Sequence, residues 1–123
     1  MITVIVYFEL PEGMTRDEII FKFEQTAQKW LDNKDLIRKN YLIDLDNRIA
    51  GGVYLWKEKM HAEIWLGAEF IKMGKNNYGD EPSLVFFETP IEVDNITDNI
   101  TKEWDLLFYI QIINAFEVLS MQN

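Results

Sequence analysis

Four short stretches of the chain are rich in β-branched and aromatic residues, and turn residues bound each of them. Stretches of this length and composition are typical of β-strands. Side chains alternate between the two faces of a strand, so one face of the second stretch carries Ile37, Lys39, Tyr41, Ile43 and Leu45. The pattern predicts strands over residues 2–10, 36–45, 50–56 and 83–89.

Two other stretches have the period of an amphipathic helix. In the first, Thr15 and Glu18 are spaced as a capping box, which predicts a helix from residue 16 to 32. The second runs from Glu58 to Gly74, where a glycine suits the positive φ of a helix end. The apolar stripes are Ile19, Phe23, Ala27, Trp30 and Leu31 in the first helix, and Met60, Ile64, Ala68 and Ile71 in the second.

From residue 94, the C-terminal part of the chain consists of a polar segment followed by a segment with an apolar stripe. Residues 94–101 are polar and are predicted to form a connection. Residues 102–119 are predicted to form a helix, although the composition of their centre would also suit a strand. The helix is favoured by the length of the segment and by its apolar stripe, which consists of Trp104, Leu107, Phe108, Ala115 and Leu119.

The predicted element order is βαββαβ followed by a helical extension. Strands separated by two helices and one central hairpin indicate an α+β protein with a ferredoxin-like arrangement, in which both helices cover one face of an antiparallel sheet. We therefore predict a ferredoxin-like domain over residues 1–97, with residues 98–123 as a C-terminal extension packed on the same domain.

The first and fourth predicted strands are apolar on both faces. A sheet with one face in water would alternate apolar and polar residues, so the second face is expected to be covered. The cover is either the C-terminal segment or a second copy of the chain. We expect a homodimer, because closed pairing of two such sheets buries the apolar face and protects the edge strands.

Composition narrows the choice of partner. The 21 acidic and 12 basic residues give a net charge of −9, which argues against nucleic acid as a partner. The chain has no cysteine, so thiolate chemistry and disulfides are excluded.

The N-terminus lacks the pattern of a signal peptide, and no apolar run is long enough for a membrane span. We therefore expect a cytoplasmic protein with no membrane partner.

The third predicted strand opens with two adjacent glycines, Gly51 and Gly52, in the block Ala50-Gly51-Gly52-Val53-Tyr54-Leu55-Trp56. Adjacent glycines in a strand allow two backbones to approach closely or accommodate a bulge. Their spacing is not that of a nucleotide-binding loop. Together with Lys39 and Asn47, this block resembles the YdhR-type monooxygenases of the dimeric α+β barrel superfamily, over roughly residues 2–97.

The resemblance implies a homodimer with a pocket between sheet and helices in each subunit. It also implies a monooxygenase without a cofactor, in which an enolised or phenolic compound loses a proton and passes an electron to dioxygen. Such a site needs a base, an apolar enclosure and aromatic walls. A small-molecule-binding dimer without activity and a protein-interaction module remain as alternatives.

His61 is the only histidine, so it is the candidate proton acceptor of this pocket. It shares a helix face with Trp65, while Tyr54 and Trp56 lie on one side of their strand, where Tyr41 could join them. Asn40 lies on the other face of its strand, where a pocket or a dimer surface could use a donor. Each of these residues could instead fill the core or lie on the surface. No metal-binding spacing is present, and the haem-degrading branch of the superfamily is disfavoured because Leu66 stands where its histidine is expected.

Overall fold

The structure, a computed structural model, describes residues 1–121, except for the side chains of residues 104–110. The chain forms two compact units, Met1–Glu88 and Thr89–Asn123. The first unit contains β1 (Ile2–Glu9), α1 (Arg16–Leu31), β2 (Leu36–Asp44), β3 (Ile49–Trp56), α2 (Lys59–Trp65), α3 (Ala68–Tyr78) and β4 (Ser83–Glu88). The second contains β5 (Ile91–Asp94), β6 (Asn99–Lys102) and α4 (Glu103–Met121).

The four strands of the first unit form one antiparallel sheet in the order β2-β3-β1-β4. This confirms the predicted α+β class, and the strand order is consistent with a ferredoxin-like fold. Cross-strand partners point to the same face, so the pairs Val4–Tyr54 and Val6–Gly52 lie on one side of the sheet. Buried residues of α1 and α2 pack against that side, which places these helices on one face of the sheet.

The first helix has the predicted start. The hydroxyl of Thr15 accepts a hydrogen bond from the backbone of Glu18, and the Glu18 carboxylate accepts one from the backbone of Thr15. Ile19, Phe23 and Trp30 are buried as expected, whereas Leu31 is largely exposed. The last turn of α1 therefore turns Trp30 toward the sheet.

The second predicted helix is wrong in its boundaries and in its buried face. It is two helices, α2 and α3, which meet at Gly67. The buried positions are Ala62 and Leu66, and the predicted stripe residues Met60 and Ile64 are exposed. The helix does not end at Gly74, because α3 continues to Tyr78 and Gly79 adopts the left-handed conformation that ends it.

Gly74 has a different role inside α3. A β-carbon at Gly74 would lie 3.1 Å from the ring of Pro82, the buried proline that precedes β4. A residue without a side chain thus lets α3 pack closely on this segment. Gly74 therefore marks a close approach of α3 to Pro82, and Gly79 ends the helix.

The second unit corrects the prediction for residues 94–101. They are not a connection alone, because β5 and β6 pair in a hairpin with Val93 opposite Ile100. The Asp94 carboxylate accepts hydrogen bonds from the backbones of Ile96 and Thr97, which fixes the turn. The predicted domain boundary at residue 97 lies in this turn. Residues Glu103–Met121 form the helix α4, and Trp104, Leu107 and Phe108 of the predicted stripe lie outside the described side chains.

Candidate functional site

The candidate site is a lysine enclosed by aromatic rings on the helix-facing side of the sheet. The ammonium nitrogen of Lys39 lies 3.9 Å from the ring centre of Tyr41, 4.4 Å from that of Tyr54 and 4.6 Å from that of Trp30. Ring faces attract cations within this range. We call Lys39 with these three rings the lysine cage.

Three elements supply the cage, and strand register explains their meeting. Lys39 of β2 pairs with Tyr54 of β3, so both side chains point to the same face. Tyr41 follows two residues later on that face. Trp30 is turned inward by the last turn of α1, and its ring meets that of Tyr54 edge to face at 5.2 Å.

Enclosure by the rings changes the pKa of the Lys39 amine. Burial, assisted by the nearby positive charge of Lys29, lowers the pKa of Lys39 to about 7. The ring faces favour the ammonium and act against this effect, but none of the described carboxylates forms an ion pair with Lys39. Neutral and charged forms of this amine are therefore both present near neutral pH.

The hydroxyl of Tyr41 belongs to a short chain of hydrogen bonds. Thr26 of α1 donates from its hydroxyl to the carbonyl oxygen of Phe23, and its Oγ1 lies 2.6 Å from the Tyr41 hydroxyl. Since the Thr26 proton is used on Phe23, Tyr41 is the donor to Thr26. Burial raises the pKa of Tyr41, and the hydrogen bond with Thr26 opposes the rise. The chain fixes Tyr41 against α1 as a neutral phenol.

A cavity of about 90 Å³ adjoins the cage, between the sheet and α1 and α3. Three lysines are in its wall, Lys22, Lys29 and Lys39, and no carboxylate is among the described residues that line it. The other described lining residues are Val6, Phe8, Phe23, Thr26, Trp30, Tyr41, Gly51, Phe70, Met73, Gly74, Asn77, Tyr78 and Pro82. In a chain of net charge −9, this wall is a local concentration of positive charge beside aromatic surface.

A larger groove of about 380 Å³ lies on the other side of the cage, between α1 and β2. Trp30, Lys39 and Tyr41 line both the groove and the inner cavity. The strand β2 is at the edge of the sheet, which leaves the groove open to solvent. The lysine cage therefore stands between an open groove and a small inner cavity.

Two further tyrosines are close to the inner cavity. Burial raises the pKa of Tyr54 and, together with the influence of Tyr41, raises the pKa of Tyr78 to about 12. Both phenols are neutral at physiological pH. Tyr78 also packs on Phe8, with ring centres 4.1 Å apart, and Lys22 lies 5.8 Å from its ring.

The structure brings together some of the residues that the sequence suggested for substrate binding. Tyr41 and Tyr54 belong to the lysine cage. Trp56 is fully buried behind Tyr54, with the two rings stacked at 6.1 Å, and its indole nitrogen has no hydrogen-bond partner among the described residues. Asn40 neighbours Lys39 but points to the opposite face of the sheet.

His61 and Trp65 lie in a different place, around Asp35. The Nε2 atom of His61 is 3.7 Å from one carboxylate oxygen of Asp35, and the indole of Trp65 donates to the other at 2.9 Å. The Nδ1 atom of His61 is buried without a hydrogen-bond partner in the described part of the chain. His61 is not among the described residues that line the inner cavity or the groove.

Sequence reasoning did not select Lys39, Trp30, Thr26, Lys22 or Lys29 as site residues. A signal for Lys39 was nevertheless present, because it is the one charged residue on an otherwise apolar strand face. A lysine placed where the pattern demands an apolar residue must be buried or paired. The lysines of α1 carried no such signal, since a charge on a helix ordinarily faces water.

Neither the described residues nor comparison with known proteins assigns a metal site, a membrane-spanning helix or a family. Among the described residues, no cluster of histidine, aspartate or glutamate is arranged to hold a metal ion. No helix in the described part of the chain is both long and apolar enough to cross a membrane. No protein-family model matches the chain, and no curated protein is significantly similar to it.

Proposed function

We propose that the protein binds a small, flat anion at the lysine cage and acts on it as a cofactor-independent monooxygenase. The observation that carries the proposal is the cavity wall, which has three lysines, aromatic rings and no described carboxylate in an acidic protein. Such a wall favours an enolate or phenolate over the corresponding neutral compound. The resemblance to the YdhR-type monooxygenases supports the same class of substrate.

In this proposal Lys39 takes the role that the sequence suggested for His61. The neutral amine removes a proton from a C–H group beside a carbonyl or from the O–H group of a phenol, and the resulting ammonium is held by the three rings. The anion transfers one electron to dioxygen, the two radicals combine through a new C–O bond, and the ammonium returns its proton to the peroxide to give a C–OOH group. Loss of water converts CH₂ to C=O, so one oxygen atom enters the product and the other leaves in water. The substrate supplies every electron.

The dimensions of the site limit the substrate. The inner cavity of about 90 Å³ is smaller than most ligand pockets and suits only a small group. The groove beyond Lys39, at about 380 Å³, has room for the rest of a one-ring compound. A substrate with its acidic group at Lys39 and its body along the groove fits both spaces.

The proposal includes a homodimer formed through the face of the sheet that points away from α1 and α2. Tyr7, Leu42, Val85 and Phe87 all point to this face and are exposed. An apolar patch of this kind is unusual on the surface of a monomer. A second copy of the same face would cover it.

A binding protein without turnover is the second candidate, and the same cavity favours it. If Lys39 stays protonated in the presence of the ligand, the cage holds an anion and no proton is removed. A ligand-bound protein that consumes no dioxygen would identify this case.

Oxygen uptake tests the proposal. Purified protein without added metal, flavin or haem is mixed with a panel of phenols and 1,3-diketones, and dioxygen consumption is followed. We expect uptake with at least one compound, and a loss of roughly 10²- to 10⁴-fold in Lys39→Met, the usual contribution of a positioned base. Lys72→Met changes an exposed lysine of α3 outside the described cavity lining and serves as the matched control. Equal rates in the two variants would refute the role of Lys39.

A further inference from the structure

The amine of Lys39 is a nucleophile as well as a base, and its surroundings suit a covalent bond to substrate. We infer that Lys39 forms an imine with a small oxo acid, a compound with a ketone or aldehyde group and a carboxylate. The inference rests on the proposed function, since it concerns the same cavity. It names one class of compound, the oxo acids, among the small anions that the cavity would favour.

The protonation state of the Lys39 nitrogen favours attack on a carbonyl group. A surface lysine is protonated at neutral pH and has no lone pair to offer. The cage removes Lys39 from water on three sides, and no described carboxylate holds its proton. The lowered pKa of about 7 leaves roughly half of the amine neutral at pH 7. A desolvated amine of this kind reacts readily with carbonyl groups.

A small ligand has access to the Lys39 nitrogen. Lys39 lines both the inner cavity and the open groove, so a small carbonyl compound can reach the nitrogen along the groove. The nitrogen adds to the carbonyl carbon, the C=O π bond breaks, and a proton moves from nitrogen to oxygen to give a carbinolamine. Loss of that oxygen as water then gives the C=N bond.

The positive charge around the inner cavity explains why the ligand should carry a carboxylate. Lys22 and Lys29 line the same inner cavity as Lys39, and no described carboxylate balances them there. Each also lies beside an aromatic ring of this region, Lys22 at 5.8 Å from Tyr78 and Lys29 at 5.0 Å from Trp30. A neutral aldehyde would leave both charges without a partner, whereas an oxo acid provides one.

Reductive trapping under argon tests the inference. The protein is incubated at pH 7 with sodium cyanoborohydride and either pyruvate, as the oxo acid, or acetaldehyde, as its neutral counterpart. We expect one adduct on Lys39, identified by peptide mapping, whose added mass is that of the carbonyl compound less one oxygen atom. When the rate at Lys39 is divided by the rate at the exposed lysines, the ratio should be higher for pyruvate than for acetaldehyde. Label spread over the exposed lysines, or no adduct on Lys39, would overturn the inference.

Three single substitutions test separately the nucleophile, the charge of Lys22 and the charge of Lys29. Lys39→Arg keeps a charge but lacks the nucleophile and should give no adduct at position 39. Lys22→Met should slow trapping of pyruvate by about fivefold and leave acetaldehyde unchanged, as expected for loss of one partly screened charge. Lys29→Met should slow both, because Lys29 contributes to the lowered pKa of Lys39. Equal effects of Lys22→Met on the two compounds would refute the carboxylate.

The two proposals can fail separately. Trapping uses no dioxygen, so an adduct on Lys39 without oxygen uptake by any substrate would support the imine and refute the monooxygenase. Oxygen uptake that depends on Lys39, with no adduct from either compound, would support the base and refute the imine.

Discussion

Gly52 provides the space that Lys39 occupies. A β-carbon at Gly52 would lie 3.3 Å from Cε of Lys39 and 3.2 Å from the ring of Tyr54. The backbone oxygen of Asn40 would lie nearer still, at 3.1 Å, so a side chain at Gly52 would require Lys39 and its neighbours to shift by a few tenths of an ångström. The neighbouring Gly51 has a different role, because its β-carbon would lie 1.8 Å from the carbonyl oxygen of Val6. One glycine serves the site, and the other lets β1 and β3 approach.

This difference predicts unequal effects of two adjacent substitutions. Gly52→Ala should fold and lose about 1 kcal/mol of unfolding free energy, because contacts of 3.1–3.3 Å with Asn40, Tyr54 and Lys39 are relieved by shifts of a few tenths of an ångström. Gly51→Ala should lose more than about 3 kcal/mol or fail to fold, because the clash is with backbone. Urea unfolding followed by circular dichroism measures both. Equal stability of the two variants would contradict the close approach.

The burial of Lys39 predicts a pH-dependent effect on stability. Its pKa is about 7 in the folded protein and about 10.4 in an unfolded chain. Between these values the unfolded chain binds a proton that the folded protein lacks, so the contribution of Lys39 to stability rises with pH. Below pH 7 both states are protonated, and the folded protein bears the penalty of a half-buried ammonium.

Lys39→Met should therefore be more stable than the unmodified protein at pH 6, by about 1–3 kcal/mol. The advantage should shrink as the pH rises toward 10, where the amine is neutral in the folded state. Urea unfolding at pH 6, 8 and 10 provides the measurement, with exposed Lys72→Met as the control that should show no such trend. A gain that is the same at all three pH values would show that Lys39 keeps its proton in the folded protein and that its pKa is not lowered.

If Lys39 is the base of the proposed reaction, the rate should rise with pH and level off above about pH 7, where the amine is neutral. A histidine base with an ordinary pKa would give a similar profile, so the profile alone does not identify the residue. We expect His61→Ala to leave the rate and the profile unchanged, because His61 contacts Asp35 on another part of the unit. A rate loss in His61→Ala comparable to that of Lys39→Met would return the role of base to His61.

The two hairpins have similar turns, so the pattern of their strands explains why one was predicted and the other was not. In the first, the Asp44 carboxylate accepts hydrogen bonds from Asn47, and Arg48 has positive φ. In the second, the Asp94 carboxylate caps the turn in a similar way, and Asp98, at the same spacing, has positive φ. The first turn stood between clearly apolar strands, whereas the strands β5 and β6 have four residues each and give a weak pattern.

The site was predicted in part for a comparable reason. Alternation along β2 and β3 correctly placed Tyr41 and Tyr54 on one face, because strand periodicity is local information. That Trp30 of α1 would complete the cage depends on how the helix crosses the sheet, which no local pattern contains. The sequence also favoured His61 because it is the only histidine, whereas the lowered pKa of Lys39 arises from burial and exists only in the folded protein.

The exposed face of the sheet predicts a dimer of about twice 14.6 kDa in sedimentation experiments at micromolar concentration. Phe87→Asp should produce monomers, because it places a charge in the apolar patch, where a carboxylate would be desolvated on pairing. Two copies of a chain with net charge −9 already repel each other, so each added carboxylate increases that repulsion. Dissociation of the variant should therefore be greater at low salt than at high salt.

Ile64→Asp is the matched control for this experiment. It makes the same kind of change at an apolar residue of α2 that is 65% exposed, compared with 50% for Phe87. Since α2 packs against the other face of the sheet, a charge at Ile64 should leave the dimer intact. Dissociation by Ile64→Asp but not by Phe87→Asp would place the interface on α2. A monomeric unmodified protein at micromolar concentration would refute the dimer, and then another cover for Tyr7, Val85 and Phe87 would have to be sought.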